Sequence, residues 1–158
     1  MATIVVEDGT GKTDSNSYIS EAGLTTYATD RGVTISGDNT ILLIQAMDYI
    51  EQQNFKGDKN TEAQALQWPR LNVIIDGYYV DNDVIPTLLQ DALCEVAISI
   101  DGGTNPLSNV GRSTKKEKVD VIEVEYMDGA RDSTYLAAAE SKLTKLLKTG
   151  SGGMSAVA

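Results

Sequence analysis

The chain has 158 residues with 13 basic and 23 acidic side chains, no histidine and one cysteine, so its formal net charge is -10. This length fits a single domain that can bury a core without a metal or a disulfide. The lack of histidine excludes serine–histidine triads and most zinc sites, and one cysteine excludes an internal disulfide. Since no apolar run approaches the ~20 residues of a membrane span and the N-terminus lacks a signal-peptide pattern, we expect a soluble protein made in the cytoplasm.

The charge is unevenly distributed along the chain. Residues 1–111 hold 5 basic and 16 acidic side chains, a net charge of -11, whereas residues 112–148 hold 8 basic and 7 acidic ones, a net charge of +1. Such asymmetry favours two surfaces with different partners, although acidic residues that only solvate an ordinary domain would give the same pattern. An acidic chain as a whole is also a poor match for DNA phosphates.

The N-terminal part of the chain predicts one strand and two helices. The β-branched run 3–7 is typical of a short strand. Ser20 can cap a helix over 21–31, and Asp38 can cap a second helix over 39–53.

The central part predicts a long loop. Residues 54–67 are mostly polar, and the segment 68–70 (Trp-Pro-Arg) interrupts any helix because proline disfavours a helical conformation in the residue before it. Two apolar runs, 73–75 and 78–80, flank Asp76-Gly77, which is consistent with a small hairpin or with a long packed loop.

The C-terminal part predicts two further helices and a strand. Pro86 suits the first position of a helix over 86–101, whose apolar stripe is the strongest helix signal in the chain. A strand is predicted over 119–126 and a last helix over 133–148. The tail 149–158 has the composition of a flexible linker.

These elements predict a mainly α fold, a small helical bundle with a long central loop and a short β-strand or hairpin element. We expect one domain over 1–148, made of an acidic helical body (1–111) and a strand with a basic C-terminal helix (112–148), followed by the tail 149–158.

The segment Gly9–Thr13 (Gly-Thr-Gly-Lys-Thr) matches half of a phosphate-binding loop. The full motif requires glycine where this chain has Val6, and the loop should open directly into a helix. Here it is followed by the turn-forming run 14–17. The segment is therefore predicted to be a structural turn.

Neither the cysteine nor the aspartate-rich segment predicts a reactive site. Cys94 lies in the third helix with acidic neighbours that disfavour a thiolate, so we expect a buried structural cysteine. A calcium loop starting at Asp81 would need glycine at the sixth position and glutamate at the twelfth, where the chain has Pro86 and Ala92. We therefore expect no cofactor, no metal site and no catalytic residue, and the protein is predicted not to be an enzyme.

Basic residues cluster near the C-terminus. Three lysines recur every third residue on the last helix, and four more cations precede the strand: Lys142, Lys145 and Lys148, then Arg112, Lys115, Lys116 and Lys118. They could meet phosphate or an acidic protein surface, or form only a solvated face.

An ordered set of short segments carries a family resemblance over residues 4–148. The segments are 6–11, 16–20, Tyr27 with 31–32, 46–50, 55–57, 64–70, 85–86, Ala92 with 95–97, 116–119 and 124–126. The most distinctive element is Trp68-Pro69-Arg70 ahead of a helix that begins with proline. This order resembles the tailed-bacteriophage head–tail adaptor (connector) family, a group often labelled DnaT-like single-stranded-DNA-binding.

The resemblance implies a structural virion protein that forms a dodecameric ring beneath the portal, in the neck between capsid and tail, after assembly in the host cytoplasm. Its partners would be the portal protein, tail or further neck proteins and other copies of itself, while double-stranded DNA would pass through without specific binding and no membrane would be involved. The portal or neighbour contacts would come from the C-terminal region: Lys142, Lys145, Lys148 and Met154. Trp68, Pro69, Arg70 and Pro86 are expected to be structural anchors.

The alternative hypothesis is a single-stranded-DNA-binding module that uses the C-terminal cations. It predicts an affinity that falls steeply with salt. An enzyme is the least supported hypothesis, because histidine, a complete phosphate loop and an activated cysteine are all missing.

Overall fold

The computed structural model describes residues 2–108, 116–119, 122–125 and 136–149. The helices are α1 (Glu21–Asp30), α2 (Asn39–Ile50), α3 (Thr87–Asp101) and α4 (Ala137–Leu143). The strands form three antiparallel pairs: β1 (Asp58–Lys59) with β2 (Arg70–Leu71), β3 (Ile74–Ile75) with β4 (Tyr78–Tyr79), and β5 (Lys116–Val119) with β6 (Ile122–Glu125).

The two N-terminal helices begin where their capping residues predict. The Ser20 hydroxyl accepts a hydrogen bond from Gly23 N (3.1 Å), and the Asp38 carboxylate accepts from Thr40 N (2.9 Å) and Ile41 N (3.3 Å). Each cap satisfies backbone N–H groups that the first helical turn leaves without a partner. The predicted starts of α1 and α2 are thus confirmed.

The third helix, α3, lies at the centre of the fold and packs against the other three helices. Its predicted apolar stripe forms the buried face, which consists of Leu89, Ala92, Leu93, Cys94, Val96 and Ala97. Pro86 is the N-cap residue, one position before the helix. Because proline has no backbone N–H to leave unsatisfied there, it marks the start of α3 without a side-chain cap.

The long central loop is held onto the helices by aromatic packing. Trp68 is completely buried, and its ring meets Phe55 edge-on with 5.9 Å between ring centroids. The Trp68–Pro69 peptide bond is cis. The indole N–H has no hydrogen-bond partner among the described residues, so Trp68 contributes to stability through packing.

The buried guanidinium of Arg70 fixes the loop from the other side. It donates hydrogen bonds to the carbonyl oxygens of Lys56 (2.6 Å), Gly57 (2.7 Å) and Gln67 (3.2 Å). Burial lowers the pKa of Arg70 from its usual value. Several carbonyl acceptors around one cation offset the loss of hydration that burial imposes.

The predicted mainly α fold class is wrong, and the last helix shows one reason. The helix expected over 133–148 is the seven-residue α4, and residues 133–135 lie outside the described part of the chain. After Leu143 the chain turns and forms an antiparallel bridge between Leu147 and Phe55. The apolar spacing that suggests a longer helix instead serves a segment that pairs with a distant loop.

Strand pairs replace other expected elements as well. The single strand predicted over 119–126 is split between β5 and β6, which pair with each other from Lys116↔Glu125 to Val119↔Ile122, and residue 126 is outside the described residues. The strand predicted over 3–7 is reduced to one bridge between Val6 and Ser17. The described chain therefore combines four helices with small antiparallel strand pairs, and most of its remainder is loop.

In the described part of the chain, no helix is both long enough and apolar enough to cross a membrane.

We predict that Trp68→Ala lowers the free energy of unfolding by about 3–5 kcal/mol, because a large, fully buried ring is replaced by a cavity. Urea denaturation followed by far-UV circular dichroism measures this change. Tyr79→Ala, at an exposed position, is the matched control and should change stability by less than about 0.5 kcal/mol. Equal stability of the Trp68 variant and the wild-type protein would contradict the anchoring role.

Candidate functional site

The second strand pair is a tight hairpin. Strands β3 and β4 are joined by Asp76-Gly77, and both residues have positive φ, +53° and +87°. Positive φ at both central positions is the geometry of a two-residue turn that matches the twist of antiparallel strands. Of the two sequence interpretations, the hairpin is confirmed and the packed loop is not.

This hairpin carries two unusually exposed aromatic side chains. Tyr78 is 79% exposed and Tyr79 is 76% exposed. Tyr79 pairs with Ile74, which is 43% exposed, and Tyr78 pairs with the partly buried Ile75. Since directly paired residues share a face of an antiparallel ladder and successive residues alternate, the two rings stand on opposite faces of the hairpin.

A lysine from the C-terminal segment reaches the turn of this hairpin. Lys145 Nζ lies 2.8 Å from Asp76 Oδ2, in an ion pair whose side chains are 54% and 64% exposed. The contact joins residues 69 positions apart in sequence. It places a cation at the turn that directly precedes the two exposed tyrosines.

A third segment joins the same region through backbone contacts. Lys56 N donates to Leu146 O (2.9 Å), and Lys148 N donates to Asn54 O (2.9 Å). Gly57 then passes so close to β2 and to the residue before β3 that a β-carbon there would lie 2.0 Å from the Leu71 carbonyl oxygen and 2.8 Å from Val73 Cγ2. With φ at +70°, this position requires glycine. These contacts hold residues 54–59, 73–80 and 145–149 together, and we name the exposed side chains of the three segments the hairpin–lysine surface.

The hairpin–lysine surface differs in charge from the rest of the chain. It contains four lysines and two aspartates, a local net charge of +2, whereas the whole chain carries -10. The charged residues are Lys56, Lys59, Lys145 and Lys148 with Asp58 and Asp76. Lysine ammonium groups can neutralise phosphates, and exposed aromatic rings can stack on unpaired bases.

The structure places the predicted contact residues differently from a helical face. Lys142 lies on α4, whereas Lys145 and Lys148 follow its end at Leu143. Lys145 and Lys148 are on the hairpin–lysine surface, and Lys116 and Lys118 are on β5. Met154, Arg112 and Lys115 lie outside the described residues.

Sequence reasoning missed Lys56 and Lys59, because their proximity to the C-terminal lysines depends on the bridge between Phe55 and Leu147. The predicted anchors lie beneath the surface: Trp68, Pro69 and Arg70 are buried, and Arg70 holds the carbonyl groups of Lys56 and Gly57. The Asp-Gly turn between apolar runs was the one sequence signal for the tyrosine hairpin.

The incomplete phosphate-loop motif encloses a carboxylate of the chain itself. The buried Glu7 side chain accepts hydrogen bonds from Gly9 N (2.9 Å), Gly11 N (2.9 Å), Lys12 N (2.8 Å) and the Ser15 hydroxyl (3.0 Å). Converging backbone N–H groups of this kind form an anion-binding nest. Because Glu7 occupies the nest, the loop has no room or donors for a phosphate, and it acts as a structural turn.

Other polar groups in the core are used for packing. Cys94 is fully buried, and burial raises the pKa of its thiol to about 12, which makes it a poor nucleophile. The Tyr18 hydroxyl donates to Glu51 Oε1 and accepts from Trp68 N (3.2 Å). Burial raises the pKa of both Tyr18 and Glu51. This pair ties the loop around Trp68 to the end of α2. Within the described ranges, no group of three or more acidic or cysteine side chains could hold a metal ion.

Comparison with known protein families gives a match over almost the whole chain. A family model described as "Putative DnaT-like ssDNA binding protein" matches residues 2–158, which is almost the whole chain. No curated protein and no solved structure matches the chain. The match agrees with the DnaT-like part of the resemblance drawn from the sequence, and none of the comparisons indicates a head–tail adaptor.

We predict that Glu7→Gln lowers the free energy of unfolding by about 1–3 kcal/mol, since an amide cannot accept all four hydrogen bonds and presents a donor to other donors. Urea unfolding curves give the difference. Glu62→Gln makes the same chemical change at an exposed site and should leave stability within about 0.5 kcal/mol. Equal curves for the two variants would show that the nest contributes nothing.

Proposed function

We propose that this chain, which belongs to the DnaT-like single-stranded-DNA-binding family, binds single-stranded DNA on its hairpin–lysine surface. One observation carries the proposal: two tyrosines that are each more than 75% exposed follow directly on the turn that pairs with Lys145, in a locally positive part of an otherwise acidic protein. Family membership supports the ligand class, and the surface supplies the chemistry that such a ligand needs.

The lysines and the tyrosines would meet different parts of the strand. The DNA phosphates contact the ammonium groups of Lys56, Lys145 and Lys148, while unpaired bases stack on the rings of Tyr78 and Tyr79. A duplex offers phosphates to the same lysines, but its base faces are already stacked on one another. The tyrosines therefore favour single-stranded over double-stranded DNA.

The acidic remainder of the chain limits where DNA can lie. Away from this surface the described body is rich in carboxylates, which repel phosphates. With a local charge of only +2, we expect modest affinity that depends strongly on salt.

We predict that Tyr78→Ala and Tyr79→Ala each weaken binding of an oligonucleotide of about 16 nucleotides by about 5- to 150-fold, the equivalent of one lost base–ring stack. Fluorescence anisotropy at low salt measures the dissociation constant. Ile41→Ala is the matched control. It removes an exposed apolar side chain from the first turn of α2, at the end of that helix away from residues 54–59, and should leave affinity unchanged. No binding by the wild-type protein at low salt, or equal affinities for all variants, would contradict the proposal.

A second candidate function is the structural adaptor of a phage head–tail connector. It is supported by the order of short segments over residues 4–148 and by the net charge of -11 over residues 1–111, past which DNA could slide without adhering. In this proposal the exposed hairpin would pack against a neighbouring copy in a ring beneath a portal protein, since exposed tyrosines are also typical of protein interfaces.

The adaptor proposal predicts an assembly rather than DNA affinity. Mixing the protein with its cognate portal and imaging the complex by cryo-electron microscopy should show a ring with Tyr78 and Tyr79 at subunit contacts. Tyr79→Ala should then reduce ring formation, whereas Ile41→Ala should not. A protein that binds single-stranded DNA through the tyrosines but forms no ring on the portal would exclude the adaptor.

A further inference from the structure

We infer that Asp76 acts as an internal competitor for DNA, since its carboxylate occupies the position beside Lys145 that a phosphate would take. This inference rests on the proposed binding of single-stranded DNA to the hairpin–lysine surface. It goes beyond that proposal because it assigns a regulatory role to an acidic residue within the site.

The geometry of the ion pair fits a replaceable contact. Asp76 Oδ2 lies 2.8 Å from Lys145 Nζ, a distance that a phosphate oxygen would also adopt. Both side chains are more than half exposed, so water and ions reach the pair and screen the attraction between its two charges. A single strand of DNA can therefore displace the carboxylate without unfolding any part of the hairpin.

The position of Asp76 couples this exchange to the tyrosines. Asp76 is the first residue of the turn, and Tyr78 and Tyr79 follow immediately after Gly77. A base that stacks on Tyr78 brings its own phosphate close to the turn and thus close to Lys145. Stacking can offset the repulsion between that phosphate and Asp76, whereas a phosphate without a stacked base must overcome it unaided.

The substitution Asp76→Asn tests the role without disturbing the turn. Asparagine tolerates positive φ, and Asn-Gly is a preferred pair for this turn type, so the hairpin should be retained. The amide removes the negative charge and frees the Lys145 ammonium group for phosphate. Asp81→Asn is the matched control. It removes an equal charge five residues after Asp76, at a position with no ion pair to Lys145 among the described residues.

We predict that Asp76→Asn tightens binding of the oligonucleotide by about two- to fivefold more than Asp81→Asn does, the range expected for one exposed ion pair. The slope of log affinity against log salt concentration should steepen by up to about 0.7, because Lys145 now neutralises a phosphate without releasing a carboxylate to solution. In a Lys145→Met background, Asp76→Asn should lose this advantage over Asp81→Asn.

The outcomes separate this inference from the function on which it rests. Wild-type binding that depends on the tyrosines, with equal gains from Asp76→Asn and Asp81→Asn, would overturn the competitor role and leave DNA binding intact. An advantage of Asp76→Asn that persists after Lys145→Met would also overturn it, because the effect would then be general charge repulsion. Absence of binding by the wild-type protein and by Asp76→Asn at low salt would overturn both proposals.

Discussion

Two backbone hydrogen bonds between residues 54–56 and 146–148 determine the shape of the hairpin–lysine surface, on which the proposed function depends. They join the loop after α2 to the segment after α4, and the buried Phe55 ring between them meets Trp68. The guanidinium of Arg70 then donates to the carbonyl groups of Lys56 and Gly57, so the loop segment that pairs with the C-terminal segment is itself fixed from within the core. This pairing is what positions Lys145 within reach of Asp76 in the hairpin turn.

The protein uses several of its charges internally, and this changes what the net charge means. The carboxylate of Glu7 accepts hydrogen bonds from a nest of backbone N–H groups, and the guanidinium of Arg70 donates hydrogen bonds to backbone carbonyl groups. Asp101 accepts from the backbone N–H groups of Ser36 and Gly37, which fixes the α1–α2 connection to the end of α3. Such groups hold loops in place by hydrogen bonds to ionised side chains, which are stronger than those between neutral groups. A charge count along the sequence treats them as surface charges, and so it describes the partner-facing surfaces poorly.

Local signals in the sequence predicted local structure well. Ser20 and Asp38 mark helix starts because a capping side chain acts within three residues, and the apolar stripe of α3 identifies the central helix because burial imposes a helical period. The Asp-Gly pair likewise predicts the turn of β3 and β4. The end of the last helix could not be predicted, because Leu146 and Leu147 continue an acceptable helical pattern. Only their partners Lys56 and Phe55, 90 and 92 positions away in sequence, stop the helix there. The candidate site failed to emerge for the same reason, since its three segments are brought together by such distant contacts.

A protein with a net charge of -10 can still bind a polyanion if its cations and its carboxylates lie far enough apart. At physiological ionic strength, charges separated by more than about 8 Å are largely screened from one another at the solvent-exposed surface. A phosphate in contact with Lys145 therefore responds mainly to the local charge of the hairpin–lysine surface and to Asp76, whereas the acidic body acts on the strand before contact, at longer range and most strongly at low salt. These two effects oppose each other as salt rises: screening removes the repulsion of the body, but it also reduces the gain from counter-ion release at the lysines. The base stacking of exposed tyrosines is the one contribution that salt does not weaken directly, and for this acidic chain it is the contribution on which the proposed selective binding depends.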